Sequence, residues 1–166
     1  MTGGIAARGF DAALARFAQG LAAIGVAALL TQACGIVIDA LLRSVFGSPI
    51  HGLEDINLLL IPVTVASFLP VLVLARGNVR VDLLGRTLSR GAARRLDLFG
   101  HLGTFVFLLL LAYGYFDHAR ALGTQHTVII ELPLRPAAFA AAVFIALAAL
   151  FEGVVLIRVL LRKVAA

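Results

Sequence analysis

The chain has 166 residues, of which 61% are hydrophobic, 14% charged and 8% aromatic, with a formal net charge of +5. Soluble domains run at about 45–50% apolar and ~25% charged residues, and a chain of this length cannot bury so much apolar surface against itself. The composition excludes an ordinary cytosolic enzyme, a disordered tail and, with Cys34 as the single cysteine, a disulfide scaffold or cysteine-pair zinc site.

The first predicted element is amphipathic: Phe10, Leu14, Phe17 and Leu21 recur at helical spacing beside Arg8, Asp11 and Arg16, as in a helix that begins on a membrane surface. It leads into a first apolar span over about residues 17–42, long enough to cross a hydrocarbon core of ~30 Å at about 1.5 Å per residue. Thr31, Gln32 and Cys34 are its polar residues at mid-depth, and Asp39 and Arg43 stand four apart near its end, positioned to pair. A second span over about 53–75 opens with Glu54 and Asp55, which complement a helix N-terminus. Arg43 with Asp39 and Glu54 can thus pin the first hairpin, or form a docking site for an outer partner. Pro62 and Pro70 deprive the carbonyls of Leu58 and Ala66 of their helical donors, and Thr64 and Ser67 are available to compensate.

Between the second and third spans, Val81, Leu84 and Leu88 share one helical face, while Arg86, Arg90 and Arg94 form another, with Asp82 near the start. The pattern predicts a short amphipathic helix over about 79–90 lying at the membrane surface, the alternative being a solvated basic loop. A third span follows over about 96–116 and a fourth over about 136–157. Small residues on the fourth (Ala138, Ala142, Ala146), Gly100 with Gly103 on the third and Gly25 with Ala28 on the first permit close helix approach. Glu152, in the inner third of the fourth span, requires a partner, with Arg16 or Arg76 within reach; a structural pair is favoured over a proton relay, because no second carboxylate lies at matching depth.

Each span must satisfy its own backbone in lipid, so helix is the conformation expected, and the period-two alternation of a barrel is absent. Of the 14 Lys and Arg residues, only Arg43, Arg120 and Arg135 fall on one side of the membrane. The positive-inside rule places the other side, with both termini and the middle loop, in the cytoplasm. The basic residues lie between apolar runs and leave no stripe for nucleic acid. His51, His101, His118 and His126 cannot supply a facing pair at one depth for haem, and an outer metal site from His51, His118 and His126 is geometrically possible but has no spacing motif. The reading is an all-α integral membrane protein: four transmembrane helices plus a short interfacial helix between the second and third, N-in and C-in, in one membrane domain without cofactor, metal or catalytic residues.

Three stretches resemble a known family. Arg43-Ser44-Val45-Phe46-Gly47-Ser48-Pro49 followed by Gly52-Leu53-Glu54 is similar to the family's Arg-aromatic-aliphatic-Phe turn leading to a small residue and Glu. Arg76-Gly77-Asn78-Val79-Arg80-Val81-Asp82-Leu83-Leu84 is similar to its Gly-Glu-His-Ile-Arg-Val-Asp segment, and Gly123-Thr124 through Leu132-Pro133 to its last outer loop. The family is the small membrane subunit, DctQ-type, of tripartite ATP-independent periplasmic (TRAP) transporters; the likeness spans about residues 10–160. Ser44, the Gly77-Asn78 pair and Arg135 depart from its usual aromatic, Glu-His and aromatic residues. The resemblance implies a non-catalytic bacterial inner-membrane subunit that braces a large transport subunit, to which a periplasmic binding protein delivers an organic acid for ion-driven uptake. It implies that the amphipathic segment with Arg80 and Asp82 is a surface brace, and that the Arg43/Glu54 region lies nearest the binding protein. The competing readings are a stand-alone small channel or exporter acting as a homo-oligomer, and a membrane enzyme or haem-bearing electron carrier.

Overall fold

The computed structural model describes residues 3–76 and 90–164, with side chains described over 12–75 and 95–160. Four helices account for nearly all of it: α1 (Gly3–Phe46), α2 (Leu53–Arg76), α3 (Arg90–Ala121) and α4 (Leu134–Val164). Each contains a segment long and apolar enough to cross a membrane: Ala12–Phe46, Leu53–Ala75, Arg95–Ala121 and Leu134–Leu160. The amphipathic segment over 79–90, with Arg80 and Asp82, lies outside the described residues except for Arg90, where α3 begins.

α1 is one continuous helix of 44 residues. The amphipathic N-terminal stretch expected to begin on the surface therefore runs into the first span without a break. At about 1.5 Å per residue it is roughly twice as long as a ~30 Å hydrocarbon core is thick, so it must tilt or project beyond it. The helix ends at Gly47, whose φ of 63° is the left-handed conformation of a helix C-cap and whose N–H donates to the Arg43 carbonyl at 3.2 Å. A short turn through Gly52, φ 85°, starts α2.

α2 remains helical through both Pro62 and Pro70. The expected compensation takes a different form. The Ser67 hydroxyl donates to the Thr64 carbonyl at 2.7 Å, and the Thr64 hydroxyl accepts from Gln32 on α1.

The four helices are arranged as a row rather than a closed ring. α2 and α4 run side by side at the centre, α1 packs along α2, and α3 along α4. α4 is the most buried span, with α1 and α3 the least. Its small residues explain this: Ala138, Ala141, Ala142, Ala148 and Ala149 are all buried, allowing two neighbours to approach one helix. One apolar cluster joins Ala66, Ala112, Ala141 and Ile145; a second joins Ala18, Val73, Leu108, Ala148, Ala149 and Phe151. Phe17 of α1 meets Phe151 of α4 edge-on at 6.4 Å between ring centroids. Gly25 faces Ser67 and Phe68 of α2, so the close approach expected there is real. Gly100 and Gly103 differ from expectation: nothing lies within 4 Å of where a Cβ would be, and they open onto the outward face of α3.

Candidate functional site

Polar groups tie the helices and their turns together at three levels of the row. At the end carrying the α1–α2 and α3–α4 turns, Asp39 holds the first hairpin with both oxygens. Oδ2 accepts from Arg43 Nη2 at 3.0 Å, and Oδ1 accepts the N–H of Ile50, beyond the turn, at 2.6 Å. Arg43 also approaches Glu54 Oε1, at 3.9 Å, with Glu54 79% exposed. Asp39, Arg43 and Glu54 are therefore brought together, with Asp39 as the pin and Glu54 as a loose outer contact of the kind that contributes about 0–1 kcal/mol.

Asp55 has a larger part than complementing the α2 N-terminus. It is only 6% exposed, and its Oδ2 accepts the N–H groups of both Ile129 and Ile130 at 2.8 Å. Those residues form the tip of the α3–α4 connection. Thr127 and Leu132 close this tip: the Leu132 carbonyl accepts the Thr127 N–H, and the Thr127 hydroxyl accepts the Leu132 N–H, both at 2.9 Å. His126 and Pro133 form an isolated β-bridge behind them, and Glu131 takes a positive φ of 54° to make the turn. Ile130 packs against Gly52, where a Cβ would meet its Cγ2 at 2.6 Å. One carboxylate thus ties the two turns of the molecule together. In sequence, Asp55 is indistinguishable from an ordinary N-terminal acid; its partners are backbone amides, which no residue type announces.

At mid-depth the Gln32 amide donates to the Thr64 hydroxyl at 2.8 Å across the buried α1–α2 contact. Thr31 instead returns its hydroxyl to the Ala27 carbonyl at 2.9 Å. Towards the end carrying both termini, Glu152 is 2% exposed and pairs with His101 of α3, Nδ1 to Oε1 at 2.7 Å, and not with Arg16; the Arg76 side chain lies outside those described. Asp97, one turn before His101, lies 3.8 Å from its Nε2. A signal for the His101–Glu152 pair existed. Nearly equal numbers of residues separate His101 from the end of α3 and Glu152 from the start of α4, so an antiparallel hairpin sets them level.

Chemically, this is an arrangement for holding helices in register. Among the described residues, no group of three or more His, Cys, Asp and Glu side chains is placed to hold a metal ion. Cys34 is exposed and Asp39, Glu54, Asp55 and Glu152 are engaged as above. The outward faces of α1 and α3 carry large apolar side chains: Ile24, Leu30, Val37 and Leu41 on the one, and Phe99, Phe107, Leu110 and Tyr113 on the other.

The fold and these cross-links define a polytopic α-helical membrane protein whose polar groups knit its own helices. The model of the family described as "Tripartite ATP-independent periplasmic transporters, DctQ component" matches residues 32–162, and the chain belongs to this family. It is therefore a small-component protein of a TRAP transporter, a multi-pass bacterial inner-membrane protein. No curated protein and no solved structure matches the chain.

Proposed function

We propose that the chain is a non-catalytic scaffold, bracing the large membrane subunit of a TRAP transporter during ion-driven uptake of an organic acid delivered by a periplasmic binding protein. The observation that carries this reading is the use of polar groups within the spans: Gln32 with Thr64 and His101 with Glu152 are hydrogen-bonded to each other across helix contacts. A transport path needs polar groups facing a cavity; a brace needs them between its own helices, with apolar faces turned outward for lipid and partner.

Both termini are cytoplasmic, in keeping with the excess of Lys and Arg before the first span, between the second and third, and after the fourth. That orientation puts the Asp39–Arg43–Glu54 group and the Thr127–Leu132 tip on the periplasmic side, towards the binding protein. The segment with Arg80 and Asp82 is then a brace at the inner leaflet. The test is co-purification of the tagged chain, expressed with its native neighbouring genes, from detergent. Recovery of an approximately one-to-one complex with a larger polytopic protein supports the scaffold; recovery of only a homo-oligomer that conducts ions or solutes by itself overturns it.

A further inference from the structure

The tip of the α3–α4 connection combines bare aliphatic side chains with a backbone that is already satisfied. Val128 is 93% exposed, and Ile129, Ile130 and Leu132 are exposed beside it, all of them outside the helices. Beneath them the frame is closed. Thr127 is buried and bonds Leu132 in both directions, and the Leu134 N–H donates to the Gln125 carbonyl at 3.1 Å. Asp55 Oδ2 takes the N–H groups of Ile129 and Ile130.

A turn that stays in water has no need of that carboxylate, because water accepts from exposed amides in its place. In apolar surroundings an amide without an acceptor is expensive, and non-helical backbone there must find its acceptors within the protein. The Asp55 carboxylate meets that requirement for two successive amides beneath the barest side chain of the turn.

Depth points the same way. Asp55 lies in the first turn of α2, whose apolar segment Leu53–Ala75 has 23 residues. That is about 35 Å of helix against a hydrocarbon core of ~30 Å. The tip, bonded to this turn, is level with the boundary between acyl chains and headgroups.

Arg120 in the last turn of α3 and Arg135 in the first turn of α4 flank the tip. Both are exposed, and neither makes an ion pair among the described residues. Arg135 rests the face of its guanidinium on Phe139, 5.4 Å from the ring centroid, which leaves its N–H edge to point elsewhere. Aliphatic side chains flanked by basic ones are the composition of an interfacial anchor. A tip built to dock on protein centres on Trp, Tyr or Arg, with Val and Leu under-represented; residues 125–134 contain none of those three anchors.

We propose that this tip is a lipid-binding anchor. Val128, Ile129 and Ile130 enter the leaflet on the side of the two turns, and Arg120 and Arg135 hold the phosphates of its headgroups. The anchor is a property of the chain itself and does not depend on its bracing a larger subunit.

The test is spin-label resonance on the full-length chain in vesicles of phosphatidylcholine and phosphatidylglycerol, with Cys34→Ser removing the native thiol and a nitroxide on Val128→Cys. Val128 is nearly bare, so the label displaces no contact of the fold. Oxygen, which concentrates among acyl chains, should relax the label more than a water-soluble nickel chelate does. Asp55→Ala, and the double variant Arg120→Gln with Arg135→Gln, should each shift the balance towards the chelate. The arginines are exposed, so their variant serves as the probe if melting temperature shows that Asp55→Ala perturbs folding. A label relaxed mainly by the chelate would place the tip in water and overturn the assignment. So would a label shielded from both relaxers in the assembly recovered by co-purification, the mark of a protein-docking tip, or a balance unmoved in every folded variant.

Discussion

Glu152 and Asp55 are the two acidic side chains most fully withdrawn from solvent among the described residues, and they do different work. Glu152 bonds a side chain, His101, and so couples α3 to α4 near the end that carries the termini. Glu152→Ala removes the imidazole's partner while leaving the ring in place. Because an abandoned buried polar group costs about 1–3 kcal/mol, this variant should melt below wild type in detergent. Glu152→Gln retains a carbonyl oxygen facing the ring and should fall between the two. Equal melting of all three would mean that the 2.7 Å contact contributes nothing to stability. Asp55 bonds two backbone amides instead, those of Ile129 and Ile130. In Asp55→Ala, hydrogen exchange at those two amides should accelerate at least tenfold, while exchange in the middle of α3 stays as in wild type. Protection that survives the substitution would remove Asp55 as the clamp of the second turn.

At the level of the helix pair, the α1–α2 contact includes a close approach at Gly25 and a buried polar bond between Gln32 and Thr64. Gly25 lies where a Cβ would meet Ser67 and Phe68, so Gly25→Leu must push the two helices apart, at a cost of about 1–3 kcal/mol. Ser67 is held by its bond to the Thr64 carbonyl and has little freedom to yield. Thr64→Val leaves the Gln32 amide without its acceptor in an apolar interface. Combined with Gln32→Leu it should be less harmful than the separate losses add up to, since the double variant orphans nothing. A double-mutant cycle on melting free energies reads this coupling directly; strict additivity would show that the two side chains do not interact. α2 stays helical through Pro62 and Pro70, residues that interrupt helices in soluble proteins.

For the molecule as a whole, the row of helices leaves two long sides uncovered. Gly100, Gly103 and Gly114 all open onto free space on α3, beside the exposed Phe99, Phe107, Leu110 and Tyr113. Gly103→Leu should therefore leave the melting temperature of the isolated chain unchanged or raise it, as removing an exposed helical glycine gains up to about 1 kcal/mol. A sharp fall would mean that this face is packed within the chain's own fold. The same variant, assayed by co-purification, reports whether the α3 side contributes to the transporter assembly: reduced recovery of the large subunit with unchanged melting of the chain alone is the outcome expected if the brace docks there.

The amino-acid sequence by itself determined the solvent and the number of crossings. Apolar runs of sufficient length can be satisfied in lipid only as helices, and that constraint acts within each segment, so no knowledge of neighbours is needed. It also carried the family, because the Arg43-to-Glu54 turn and the Gly123-to-Pro133 loop are local strings whose order and spacing survive without coordinates. The order of the helices, with α4 in the middle, was decided only in three dimensions: all four spans are comparably apolar, and which face of each turns inward depends on how the alanines of α4 fit two neighbours at once. Partner choice was decided there too. Asp39 with Arg43 was legible because four residues along a helix is a fixed separation. Glu152 with His101, Gln32 with Thr64, and Asp55 with the amides of Ile129 and Ile130 were not singled out: counting from a turn brings two residues level, as for His101 and Glu152, but the rotation that faces them to each other is set by packing.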